Sequence, residues 1–103
     1  GLFSKTKEHA AGAEASLKRA FDAWRADEFE QAAVWFRKAF EQDQTVPNLR
    51  YNLALAFFAL DRLNDALQWL QDHAARNKED SDARALYAMI AALIQKRRQA
   101  APA

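Results

Sequence analysis

The stretch Tyr51–Leu70, Y-N-L-A-L-A-F-F-A-L-D-R-L-N-D-A-L-Q-W-L, decides the fold, because an image of it stands 34 residues earlier. That slide pairs Ala20 with Ala54, Trp24 with Phe58, Phe29 with Leu63, Ala32 with Ala66, Trp35 with Trp69 and Phe36 with Leu70, without a gap. A second slide of 34 pairs Leu53 with Tyr87, Ala54 with Ala88 and Leu55 with Met89. The chain therefore holds two complete units and the first half of a third. Self-similarity at a fixed period of this length marks a stack of repeated supersecondary units.

Composition says what the units are made of. The 103 residues include 24 Ala but only two Val, two Ile and two Thr, so the β-branched residues that suit a pleated surface are nearly absent. Gly1, Gly12, Pro47 and Pro102 are the only strong breakers, and an all-α chain is the economical reading. Helices are expected over about 10–26, 28–43, 47–60, 63–76 and 80–98, as are a flexible arm over 1–9 and a flexible tail over 99–103. Asp27 and Asp61 fall at the turn within each unit, where Asp tolerates a left-handed backbone better than most residues. Pro47 suits the first turn of the third helix, and Asp80 or Ser81 can cap the fifth. In the first helix the apolar stripe runs Leu17, Ala20, Phe21, Trp24 at i, i+3, i+4 and i+7.

A 34-residue helical period resembles the tetratricopeptide repeat, whose skeleton is W-x2-L-G-x2-Y, then A-x3-F, then P. Leu53-Ala54-x2-Phe57 followed by Ala66-x3-Leu70 carries the resemblance best, with Ala32-x3-Phe36 and Ala39 in the first unit. Gln44 and Lys78 stand where the family has proline, and Arg19 and Ala23 where it has leucine and tyrosine. The first helix is therefore expected to be rotated from the ideal packing. The resemblance covers roughly residues 13–98. It implies a right-handed superhelix of five antiparallel helices: units over about 13–46 and 47–80, and a capping helix over about 80–98. Ala32, Phe36, Ala39, Ala66 and Leu70 are the expected core.

Several function classes are excluded or disfavoured. Half the residues are hydrophobic and 12% aromatic, too many for a disordered segment. No apolar run approaches the roughly 18 residues of a membrane span, and the start Gly1-Leu2-Phe3-Ser4-Lys5 does not look like a signal peptide. A cysteine count of zero removes disulfides and thiolate sites but suits cytoplasm and periplasm alike. The expectation is a cytoplasmic protein, with the periplasm or a place within a longer chain left open. The net charge of +1 hides basic ends around an acidic middle: +2 over 1–26, −5 over 27–82 and +4 over 83–103. A strong polyanion binder needs a concentrated basic face instead, so nucleic acid is not an expected partner. Lys96-Arg97-Arg98 suits a helix C-terminus, where cations favour the dipole.

Catalysis needs an activated group held against partners. Ser4, Ser16 and Ser81 lack a Gly-flanked elbow, and the only histidines, His9 and His73, lie far apart in sequence. His73 is expected as a partly buried ring with one hydrogen bond. Asp61, Asp65, Asp72, Glu79, Asp80 and Asp82 lack the EF-hand spacing and read as a solvated face. The chain is expected to be no enzyme and to take no metal or cofactor.

What remains is surface shape. By the resemblance, the first helix of each unit lines a concave wall, and the expected partner-binding residues are Phe21, Trp24, Tyr51, Asn52, Leu55, Phe58 and Met89. Tyr51, Leu55 and Phe58 form one stripe on the third helix, apart from the face of Leu53, Ala54 and Phe57. The chaperone-binding members of the family hold a peptide's C-terminal carboxylates with a clamp of Lys, Asn and Arg. Here Asn52 matches one place, but Leu17, Phe21, Asp82 and Leu86 occupy the other four, and Asp82 would repel a carboxylate. The expected function is a non-catalytic protein–protein interaction module that holds an apolar peptide or helix in its groove. The alternatives are a self-assembling scaffold, hence a homo-oligomer, and a small secretion-type chaperone that shields a client.

Overall fold

The computed structural model describes the backbone of residues 2–101 and the side chains of residues 12–101. Five helices follow one another: α1 (Leu2–Arg25), α2 (Phe29–Gln42), α3 (Leu49–Ala59), α4 (Leu63–Arg76) and α5 (Ser81–Ala100). No strand occurs among the described residues. Each helix packs mainly on the one before and the one after, as in a repeat stack where units touch only their neighbours. Two ends differ from expectation. Helix α1 begins at Leu2 instead of near residue 10, because nothing from Phe3 to Ala11 is a breaker. Helix α5 runs on to Ala100, just short of Pro102. His9 and much of the two expected flexible ends lie outside the described side chains.

Both turns within the units close in the same way. Asp27 (φ 59°) and Asp61 (φ 61°) are left-handed. The Asp27 N–H donates to the Trp24 carbonyl (3.0 Å) and the Glu28 N–H to that of Ala23 (2.8 Å). Asp61 and Arg62 repeat the pair on Phe58 (3.0 Å) and Phe57 (2.9 Å). These are the paired bonds that end a helix on a left-handed residue, here aspartate in the place glycine usually takes. Pro47 departs from its expected place. Asn48 is also left-handed (φ 65°) and caps α3, which starts at Leu49, so Pro47 stays in the turn outside the helix.

The apolar interior forms two clusters. The first joins Ala20, Ala32, Phe36, Ala39, Leu49 and Leu53, with Trp24, Trp35, Phe40 and Trp69 packed on it. The second joins Ala54, Leu63, Ala66, Leu70, Ala83 and Ile90, with Leu86, Tyr87 and Ile94 packed on it. The five expected core residues are all buried. The first helix is not rotated: Ala20 and Ala54, 34 residues apart, are both completely buried, and Ala23 is buried in the place expected for a large tyrosine. Helix α1 turns Ala13, Ser16, Ala20 and Ala23 inward, while Phe21 is 40% exposed and Leu17 and Trp24 sit at the edge. Gly12 extends this small-residue face, since a methyl group there would lie 3.1 Å from the Gln42 amide nitrogen. Ser16 Oγ donates to Gln42 Oε1 at 2.7 Å.

His73 and Asp80 latch α4 to α5. The His73 ring, more deeply buried than expected at 2% exposure, has Nε2 2.8 Å from Asp80 Oδ2, and its Nδ1 faces Asn77 Nδ2 at 3.4 Å. The other Asp80 oxygen accepts the Ala83 N–H at 3.1 Å and caps α5. The bond to His73, and next the one from Ala83, hold the Asp80 carboxyl below the ordinary aspartate range. A depressed folded-state pKa adds stability that is present above the unfolded value and lost as pH falls through the folded one. The difference in melting temperature between wild type and Asp80→Ala is therefore expected to be full near neutrality. It should shrink once pH drops below 3.8, the unperturbed value. A difference that stayed constant across that range would remove the latch.

Candidate functional site

Helices α1, α3 and α5 occupy equivalent places in the repeat, and the first two wall a pair of adjoining cavities. The larger, about 440 Å³, is lined by Phe21, Pro47, Asn48, Tyr51, Asn52, Asp80 and Asp82. The smaller, about 80 Å³, is lined by Phe21, Trp24, Phe36, Asn52 and Leu55. Phe21 and Asn52 belong to both. The Phe21 ring stands edge-to-face on Phe36 (centroids 5.1 Å, 87°), so its exposed face is held in one orientation by a buried neighbour. Trp24 is fixed likewise against Phe29 at 5.1 Å.

Five of the seven expected residues, Phe21, Trp24, Tyr51, Asn52 and Leu55, meet at these cavities. Phe58 does not line them; it is half-buried against the second cluster. Met89 is 46% exposed on α5, two turns beyond Asp82 on the same face. The stripe of α3 is also less free than its spacing suggests. Tyr51 is half-buried, its ring 5.4 Å from that of His73, and it too packs on the second cluster. The reason is that α4 and α5 contribute Leu63, Ala66, Leu70, Ala83 and Ile90 to the cluster on which this stripe packs, which the periodicity of α3 alone cannot report.

Asp80 and Pro47 were not among the residues expected here. The sequence marks Asp80 as a helix cap and as part of a solvated acidic face, yet the turn that makes it a cap also sets it at the rim of the larger cavity beside Asp82. Burial pushes the Tyr51 hydroxyl pKa up, and the charges of Asp80 and Asp82 add to the rise. That end of the cavity is acidic, while the smaller cavity has an apolar floor of Trp24, Phe36 and Leu55.

Elsewhere several charges pair with one another. Arg97 meets Asp61 at 2.8 Å, tying the end of α5 to the turn before α4, though both side chains are more than half exposed and the pair is worth little. Among the described residues no three His, Cys, Asp or Glu gather to hold a metal, and no helix is long and apolar enough to cross a membrane. A family model described as the tetratricopeptide repeat matches residues 23–90, about two thirds of the chain. Comparison with curated proteins and with solved structures returns no match.

Proposed function

We infer the function from a premise and a surface: the chain belongs to the tetratricopeptide repeat family, and its exposed Phe21 divides an apolar cavity from an acidic one. Repeats of this family mediate protein–protein interaction, and its modules are typically non-catalytic. The reading is a groove that holds a peptide or helix of another protein. An aliphatic anchor would enter the small cavity between Trp24 and Leu55, its neighbour would lie on Phe21, and a Lys or Arg would point toward Asp80 and Asp82.

The observation that carries this is the state of Phe21. Phe21 is continuous with Trp24 and Leu55 around the smaller cavity; a contiguous exposed apolar surface marks a partner site where a lone residue does not, and aromatic side chains dominate binding energetics. Asn52, shared by both cavities, supplies the amide that can hold an extended peptide backbone.

The test is selection from a displayed random-peptide library, followed by calorimetry on the winners. Selected peptides should combine a Leu, Ile or Phe with a nearby Lys or Arg. Phe21→Ala should weaken their binding by about 1–3 kcal/mol while unfolding stays cooperative, and Asp82→Lys should reverse the charge preference. Tyr51→Ala and Phe58→Ala are expected to weaken binding too, but with a lower melting temperature, because both rings also support the second cluster. Binders indifferent to Phe21 would sink the groove reading. Sedimentation showing a dimer that Phe21→Ala dissociates would assign the face to a second copy instead.

A further inference from the structure

The internal repeat predicts a second docking site, between α4 and α5, which shares no lining residue with the groove cavities. Trp69 of α4 fills a slot made by α2 of the preceding unit and α3 of its own. Its ring stands edge-on to Phe40 at 5.1 Å, with the Arg37 guanidinium 5.4 Å from its centroid, against the cluster that contains Leu53. Arg50 lies over the Phe40 ring at 4.8 Å and pairs with Asp72, three residues beyond Trp69. A wall of Arg37, Phe40, Arg50 and Leu53 is thus met by an aromatic followed at i+3 by an acid.

Counted on by 34, that wall becomes Gln71, Ala74, Arg84 and Tyr87. These four residues, with Ala75, line a cavity of about 490 Å³ between α4 and α5. Phe40 and Glu41 have become Ala74 and Ala75, so the slot is wider than its template. The counterpart of Trp69 would be residue 103, an alanine, whose methyl group cannot replace an indole. Arg84, the counterpart of Arg50, is exposed, and among the described residues its guanidinium reaches only the Lys78 carbonyl.

We propose that this slot takes one amphipathic helix of a partner protein, presenting a Trp or Phe to the Ala74–Tyr87 wall and an Asp or Glu at i+3 to Arg84. The occupant is defined by what fills the same wall one unit earlier, and by the basic group waiting beside it. A second copy cannot deliver its Trp35, the counterpart of Trp69, in the same manner: Trp35 comes paired with α1, and the place α1 would need is held by α5. The site is separate from the groove and does not depend on it.

The probe is a capped, fluorescein-labelled synthetic peptide with the sequence of α4, Leu63–Arg76, which carries Trp69 and Asp72 in the required spacing. It is titrated into the full 103-residue chain by anisotropy. Saturable binding is expected, weakened about tenfold or more by Trp69→Ala in the peptide or by Arg84→Glu in the protein. An Asp72→Lys peptide should bind Arg84→Glu protein better than it binds wild type, because the charges are exchanged. Phe21→Ala in the protein should leave the affinity unchanged, which separates this site from the groove. Absence of saturable binding, indifference to Arg84→Glu, or loss of the chain's cooperative melt as the peptide displaces its own α4 would each overturn the proposal. So would sedimentation of the free chain as a dimer that Arg84→Glu dissociates.

Discussion

Phe36→Ala is expected to lower the stability of the domain by about 3–5 kcal/mol, the range for deleting a buried aromatic ring. Phe36 is 1% exposed and is the largest fully enclosed side chain of the first cluster. Most of the other buried members of that cluster are alanines, Ala20, Ala23, Ala32 and Ala39, whose methyl groups cannot rotate into the space left behind. The cavity would therefore persist, and its cost adds to the lost transfer energy. Against a total of about 5–15 kcal/mol for a natural domain, this is a large fraction. Phe36 also supports the exposed Phe21 from below, so the variant should lose groove binding even where it remains folded. Urea denaturation of the two proteins measures the effect. A loss under about 1 kcal/mol would mean that the packing register inferred from the 34-residue period is wrong.

Removing residues 80–103 should do more and abolish cooperative unfolding. Helix α5 completes no unit of its own but covers one. Ala83 and Ile90 are completely buried and share a cluster with Ala54, Ala66 and Leu70, which would lose their cover. Terminal repeats need a capping element for solubility because each unit leaves an apolar face open. The cut also takes away Asp80, leaving the buried His73 without its main partner, and an unsatisfied buried polar group destabilises on its own account. Circular dichroism melts and light scattering on the truncated chain should show a broad transition and aggregation. A soluble truncation with a sharp melt would make α5 an appendage. Deleting only residues 99–103, beyond the last side chain of the second cluster, should leave the melt unchanged.

Local chemistry made much of the fold legible. The scarcity of β-branched residues and of breakers sets the helical class, the ungapped period sets the number of helices, and Asp27, Asp61 and Asp80 mark chain reversals because each can satisfy helix-end groups. The core alanines were legible because they recur at the same phase in both units. The groove was legible only in outline. Tyr51, Leu55 and Phe58 share one helical face and all three are half-buried, yet only Leu55 lines the smaller cavity, while Tyr51 and Phe58 pack against the second cluster.

The difference lies in what a sequence pattern measures. Helix propensity, turn residues and a repeat length are properties of a segment and its own neighbours, so the amino-acid order by itself determines five helices, their turns and their stacking order. Which of two adjacent stripes of a helix goes inward is a property of the surface it meets. Helix α1 carries Leu17, Phe21 and Trp24 on one stripe and Ala13, Ser16, Ala20 and Ala23 on the next, and the smaller set is buried. Phe36 from α2 already fills that interior, and only small side chains complement it. The partnership of His73 with Asp80, the acidic rim of the larger cavity and the slot beside Arg84 likewise exist only where two helices meet. Tertiary packing alone decided them, because each depends on the distance between side chains on different helices, which periodicity along one helix does not encode.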